Sequence, residues 1–344
     1  MADRKKPLPH ITLDTLNKYV LPPIEDYTYF EDSHNHPFKY QASGRFEMVN
    51  AWWLAEASML AYSEPSFVEQ RFQQAGLASV EFFSGESTQC YVAHNDHFVI
   101  VAFRGSEIRP RQSVSDDNVT YIISDWNTDL KVDFVDSGQG SFVHEGFKEA
   151  LDEVWTAQDQ ATESSRFLKP YLDSVSNKDG QRRPVWFTGH SLGAALATLA
   201  AERYRNVAGL YTFGSPRVGD RAYPKQLRRL HIDSYRFVNN DDVVSKVPVI
   251  GLYSYRGIIP RLRTPGFYRH VGTLKYISST DSESTILNDP GLWARLRDNF
   301  RRVVRNTWNL RLLIRSGGLP ENSLIDHAPL LYVIQIWNDY VSSN

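Results

Sequence analysis

Residues 184–204, PVWFTGHSLGAALATLAAERY, leave the chain little freedom. The apolar, β-prone run Val185-Trp186-Phe187-Thr188 reads as a buried strand, and it meets Gly189-His190-Ser191-Leu192-Gly193 with no loop between them. The AALATLAAERYR that follows reads as a helix whose small residues let it lie close on a sheet. A strand that becomes a helix at once needs a sharp backbone reversal, and glycine removes the Cβ atoms that would crowd it. The turn lifts the serine hydroxyl clear of the sheet. It also aims the free N–H groups of the helix start at the same spot, where negative charge is favoured. A G-x-S-x-G sequence alone is weak, because a serine at a tight turn also serves as a plain helix cap. The strand–turn–helix setting is what a nucleophile elbow requires, and it predicts Ser191 as a nucleophile.

The rest of the chain suits such a turn. Strand and helix patterns alternate from 129 to 245, which predicts parallel βαβ units. They begin with a strand at DLKVDFV (129–135) and an amphipathic helix at HEGFKEALDEVWTAQ. Upstream, FEMVNAWWLAEASMLAY (46–62) has helical spacing, and a second short helix starts at Pro65 and stops near Gly76. SVEFF, QCYVAH and HFVIVAF then read as three strands. Residues 1–45 read as an irregular arm, and the whole of 1–344 as a single domain. The formal net charge of −2 supplies no basic field for nucleic acid. The one cysteine, Cys90, excludes an intrachain disulfide and a cysteine-built zinc site. No apolar run reaches the roughly 18 residues of a membrane span. In MADRKKPLPHITLDTL, Pro7, Pro9, His10 and Asp14 interrupt any signal-peptide core. The default expectation is therefore a cytoplasmic location, with non-classical export as the other route. Nothing in the sequence sets the oligomeric state.

A serine hydroxyl needs a base, and the base needs a carboxylate to orient it. After an elbow of this type the chain order is serine, acid, histidine. YRFVNNDDVVSKVP offers Asp241 and Asp242 at a strand end, and beyond them stand His270 and His327. His270 runs straight into an alternating strand. His327 lies in a loop before a final helix, from which a side chain reaches across to the serine, so position favours His327. His190 adjoins the serine and is read as structural. Two segments do not fit a compact core. Residues 106–125 form a long polar connection carrying the apolar VTYII, which makes Val119, Tyr121, Ile122 and Ile123 candidates for a moving lid. Residues 280–322 read as a helical insertion. Within it 292–315 has an apolar face with tryptophans and an arginine-rich remainder, a pattern suited either to packing on the body or to a membrane interface.

Together these residues resemble the class 3 lipases, a family of α/β-hydrolases. The motifs coincide in order: VAFRGSE (101–107), DWNTDL (125–130), VHEGF (143–147), GHSLGAALA (189–197), YTFGSPRVGD (211–220), FVNNDDVVSKVP (237–248) and DHAPLLY (326–332). The resemblance covers roughly 46–332. It implies an α/β-hydrolase fold, a central mostly parallel sheet flanked by helices. It also implies Ser191 as nucleophile, Asp242 rather than Asp241 as the acid, and His327 as the base. The oxyanion donors it implies are the backbone N–H of Leu192 and, from the loop after the FRG strand, Ser106. The chain departs from the family in the long stretch between Ser106 and Trp126 and in the long insertion before His327.

The expected chemistry is serine ester hydrolysis through an acyl-enzyme, with no metal or organic cofactor. The expected partner is a lipid or ester substrate, met at an oil–water or membrane interface, and no nucleic acid. Acylglycerol lipase is the first expectation. Phospholipase A1 and feruloyl or short-chain carboxylesterase are the alternatives within the same machinery. A lipase-fold signalling or binding protein is the alternative outside enzymes, set against the presence of every triad candidate.

Overall fold

A computed structural model describes residues 45–343, apart from 107, 113–118, 124–132, 139, 157–166, 179, 249, 255–262, 280–283 and 292–324. It also describes 4–9, 11, 15, 19, 22, 24 and 26–41 of the arm. Eight strands form the main sheet: β1 (Ser79–Ser84), β2 (Gln89–His94), β3 (Val99–Phe103), β4 (Val185–His190), β5 (Gly209–Phe213), β6 (Ser234–Asn239), β7 (Thr273–Ser279) and β8 (Ser284–Asn288). They lie side by side in chain order. β3 to β7 run parallel, and β1, β2 and β8 continue the edges antiparallel.

The central strands β3 and β5 are mostly apolar, as strands of a parallel sheet covered on both faces are. Ile100 and Ala102 of β3 and Trp186 of β4 join one core cluster, with helix α1 (Met48–Leu60) and the last helix. Val99, Val101, Phe103, Val185 and Phe187 join the other. That second cluster is completed by α3 (Glu145–Trp155), α4 (Leu168–Ser176), α5 (Leu192–Tyr204) and α6 (Tyr223–Arg229). The surface helix α2 (Pro65–Gln74) buries only Val68 and Phe72. The last helix, α7 (Pro329–Ser343), packs on α1.

The spacing in 46–62 predicts a helix packed on the body, and α1 is buried nearly all round. The arm supplies part of that cover: Phe30 meets Trp53, and Phe38 lies between Phe98 and Trp186 with ring centroids 4.6 and 4.8 Å away. Residues 26–41 of the arm are therefore largely turns laid against an aromatic core. The buried Asn50 amide on α1 is matched: it donates to the Lys39 carbonyl and accepts from the Lys39 N–H.

A second sheet of four short strands, Phe134–Asp136, Phe142–His144, Ile250–Ser254 and Arg263–Phe267, stands apart from the main one. It contains only the end of the strand expected at 129–135, and residues 129–132 lie outside the described part. The polar connection at 106–125 contains two short strands. Ile108–Gln112 and Val119–Ile123 pair antiparallel, so the backbones of Val119, Tyr121, Ile122 and Ile123 lie in a two-stranded ribbon. The helical insertion read over 280–322 needs a correction at its start. Ser284–Asn288 is edge strand β8, paired antiparallel with β7. The arginine-rich stretch 292–315 lies outside the described residues. The main sheet and its two helix layers give the α/β-hydrolase fold.

Candidate active site

Ser191 stands between β4 and α5 with φ 59° and ψ −128°. A non-glycine residue at positive φ is strained, and surrounding structure must hold it there. The hold is visible: the Ser191 N–H donates to the Phe213 carbonyl on β5 at 3.0 Å, and the Ser191 carbonyl accepts from the Ala194 N–H. Both flanking glycines are close approaches. A Cβ on Gly189 would run into the Gly193 backbone, and one on Gly193 into the Phe103 carbonyl at the end of β3. The second contact matters for chemistry. It seats the start of α5, where Leu192 lies, against the end of β3, three residues before Ser106.

Asp242 and His327 meet. His327 Nδ1 lies 2.8 Å from Asp242 Oδ2, and both residues are almost completely buried. The same Oδ2 accepts the Tyr332 hydroxyl at 2.5 Å, and Oδ1 accepts the Val244 N–H at 2.9 Å. Burial alone raises the Asp242 pKa, but the His327 charge and the bonds from His327 and Tyr332 outweigh it and hold the carboxyl below its ordinary value. Asp241, its neighbour, faces outward and pairs with Lys246. The choice between the two aspartates is thus made by a turn: the Asp242 N–H donates back to the Asn239 carbonyl at 2.9 Å.

The acid and base loops are also laced together. The Asn239 amide donates to the Asp326 carbonyl, the Asn240 amide to Asp326 Oδ1, and the Asp241 N–H to Asp326 Oδ2. Gly214 makes the remaining room, because a Cβ there would sit 2.7 Å from Asp242 Oδ2 and 2.8 Å from the His327 ring. Ser191 Oγ, His327 Nε2 and Ser106 Oγ are buried and lack a hydrogen-bond partner among the described residues. In an unliganded hydrolase the catalytic hydrogen bonds are often long and close only around substrate. Among the described residues no group of three or more His, Cys, Asp or Glu is placed to hold a metal ion.

The sequence profile of the class 3 lipases, "Lipase (class 3)", matches residues 100–252. That stretch runs from β3 through the elbow and the acid loop. Over that stretch the chain is similar to the class 3 lipases. Phospholipase A(1) DAD1, chloroplastic, of Arabidopsis thaliana is 33% identical over 168 residues, covering 42% of this chain and 36% of the plant protein. Secreted mono- and diacylglycerol lipase 1 of Fusarium solani is 32% identical over 165 residues, covering 47% of this chain and 42% of the fungal protein. The chain thus spans less than half the length of either relative. A solved fungal lipase superposes with a TM-score of 0.48 at 20% identity, over 84% of this chain and 95% of that one. The relatives also correct the cytoplasmic location expected from the N-terminus. They are named as secreted or chloroplastic enzymes, which points away from the cytoplasm. Among the described residues no helix is long and apolar enough to cross a membrane.

Tyr332, Asp326 and Gly214 also shape this site, and the sequence did not single them out although each sits inside a motif quoted above. Tyr332 gives a test. Tyr332→Phe removes a bond to a charged acceptor, worth about 1.5–3 kcal/mol, and takes from the Asn239 N–H an acceptor at 3.0 Å. Because Asp242 is depressed, its contribution is fully present above the ordinary carboxylate pKa of about 3.9 and is lost as pH falls through the lower folded value. Thermal melts should show Tyr332→Phe below the parent at neutral pH, with the gap narrowing under strong acid. Gly214→Ala tests the packing. Its positive φ and the contacts above force the His327–Asp242 pair to move. A shift of about 1 Å costs roughly 10²-fold in rate, and that loss is expected in kcat on folded protein.

Proposed function

We propose that this chain is a serine ester hydrolase acting on acylglycerols. The observation that carries the reading is the buried His327–Asp242 pair, with an unpartnered Nε2, in the same site as the strained Ser191. In this mechanism His327 Nε2 takes the proton of Ser191 Oγ as the oxygen attacks the ester carbonyl. Asp242 holds Nδ1–H and stabilises the imidazolium as it forms. The Leu192 N–H and Ser106 receive the oxyanion, and losing one such donor costs about 10²–10³ in kcat. His327 then protonates the leaving alcohol, and water repeats the cycle on the acyl-enzyme. The sheet, both helix layers and the ribbon act in this reading as one hydrolase domain. No cofactor enters any step.

The substrate class draws support from relatives named as mono- and diacylglycerol lipases and as a triacylglycerol lipase. Phospholipase A1 is the second reading, favoured by the two plant relatives that carry that name. Hydrolysis of tributyrin, triolein, a phosphatidylcholine and methyl ferulate by the same preparation separates them. Tributyrin or triolein turned over fastest supports acylglycerol hydrolysis. Phosphatidylcholine fastest replaces it with the second reading.

The ribbon Ile108–Gln112/Val119–Ile123 begins two residues after Ser106 and is the proposed moving element. A segment beside the oxyanion loop that opens at a lipid surface makes activity depend on that surface. Activity on tributyrin should therefore rise as substrate passes its solubility limit. Replacing Ile122 and Ile123 with serine should blunt that rise more than it slows hydrolysis of soluble p-nitrophenyl acetate. Equal loss of both, or no rise in the parent, rules the ribbon out as an interfacial lid.

A further inference from the structure

We infer that His190 is a positioning residue for the hydrolysis, holding the main chain of His327 through one neutral tautomer that Tyr62 selects. The inference rests on the proposed function for its kinetic consequences. Its structural content is independent of it.

The turn that lifts Ser191 out of the sheet sends the neighbouring His190 ring inward. There Nε2 lies 2.7 Å from the carbonyl oxygen of His327, and Nδ1 lies 2.9 Å from the Tyr62 hydroxyl. A carbonyl oxygen only accepts, so Nε2 carries the hydrogen. Burial, and after it the His327 charge, drives the His190 pKa well below the usual imidazole range, against an opposing pull from Asp242. The ring is then neutral, Nδ1 has only a lone pair to offer, and Tyr62 must donate. Both ends of the relay are therefore determined: Tyr62 O–H to Nδ1, and Nε2–H to the carbonyl of His327.

Two consequences bear on the chemistry. The first is geometric. The residue before the nucleophile grips the backbone of the base, across a sequence separation of 137 residues. The Ser191–His327 relation is thus set by a direct tie, and the Asp242 bond orients only the ring. The second is electrostatic. The His190 and His327 rings are 4.4 Å apart between centroids. His327 becomes a cation when it takes the serine proton, and a second cation at that distance would oppose it. Burial keeps His190 from being that cation. Among the described residues Tyr62, Tyr332, His327 and, behind it, Asp242 are titratable groups that face it.

Gly105 belongs to the same device. A Cβ at that position would overlap the Tyr62 hydroxyl and lie 2.5 Å from the His190 carbonyl oxygen. The glycine of the FRG strand end therefore admits Tyr62, from the end of α1, to the back of the elbow. Three distant segments converge on a ring that would otherwise be core filler.

The test compares His190→Gln with His190→Leu. Glutamine keeps an N–H donor near the Nε2 position, and leucine fills the space without one. With p-nitrophenyl butyrate, on protein shown folded by circular dichroism, His190→Leu should lose roughly 10²-fold in kcat at unchanged KM. His190→Gln should recover most of that loss, even where its melting temperature also falls. Equal losses in the two variants, or parent-like kcat in His190→Leu, overturns the positioning role. A second arm needs no activity. Imidazole nitrogen spectra of the ¹⁵N-labelled parent, with His190 assigned by its absence in His190→Gln, should show the neutral Nε2–H form from about pH 5 to 8. Tyr62→Phe should admit the Nδ1–H form. A charged ring or an Nδ1–H tautomer in the parent contradicts the relay. If the parent hydrolyses no ester, the proposed function fails, and these spectra still decide the relay.

Discussion

Ser191→Ala is expected to lower kcat on soluble esters by on the order of 10⁶ while leaving the fold in place. The size follows from the triad acting as a unit: without the hydroxyl, the His327–Asp242 pair has no proton to take from a nucleophile. The fold survives because the elbow is held by backbone, not by the serine side chain. The Ser191 N–H donates to Phe213, Gly189 and Gly193 allow the turn, and Ser191 Oγ makes no hydrogen bond among the described residues. Alanine takes the same strained φ at no added steric cost. Far-UV circular dichroism and thermal melting should match the parent. A variant that keeps its activity removes Ser191 from the mechanism.

His327→Ala should be nearly as severe, and the two aspartates should separate sharply. Asp242→Asn leaves the buried contact in place but turns an acceptor into a donor toward Nδ1, which forces the wrong tautomer on the base and costs roughly 10⁴ in kcat. Asp241→Asn loses a surface pair with Lys246, and exposed pairs of this kind contribute about 0–1 kcal/mol. It should leave kcat close to the parent. His270→Ala should act through stability, because His270 precedes β7 outside the His327–Asp242 contact. Rates measured on folded protein decide the ranking, and a larger effect at Asp241 or His270 would reverse it.

How much of this was legible depends on how local each cause is. The elbow was legible because its requirements lie within five residues: two glycines that make close backbone contacts, one serine, a strand before and a helix after. The parallel sheet was legible because both its faces are buried and strands such as β3 and β5 are mostly apolar. The acid was legible only to within one residue. Asp241 and Asp242 are adjacent, and the hydrogen bond back to Asn239 that turns one inward leaves no mark in composition. Tyr332, Asp326 and Tyr62 act across 86 to 128 residues, by contacts no local pattern encodes. The segment at 106–125 read as a loop because Ile108–Gln112 is mostly polar and its pairing with Val119–Ile123 is set by partners several residues away. The N-terminal arm read as irregular because its aromatic residues are scattered, yet they seal α1. The location inferred from the same N-terminus did not survive the relatives.

The central claim, that Ser191 is activated by His327 and Asp242 for attack on an ester, is tested most directly by covalent labelling. The folded protein is treated with a fluorophosphonate, digested and analysed by mass spectrometry, alongside His327→Ala and a sample protected with excess p-nitrophenyl butyrate. The account predicts one adduct, on Ser191, suppressed by the ester and nearly absent in His327→Ala. No adduct in the parent, an adduct on another serine, or undiminished labelling in His327→Ala would contradict it.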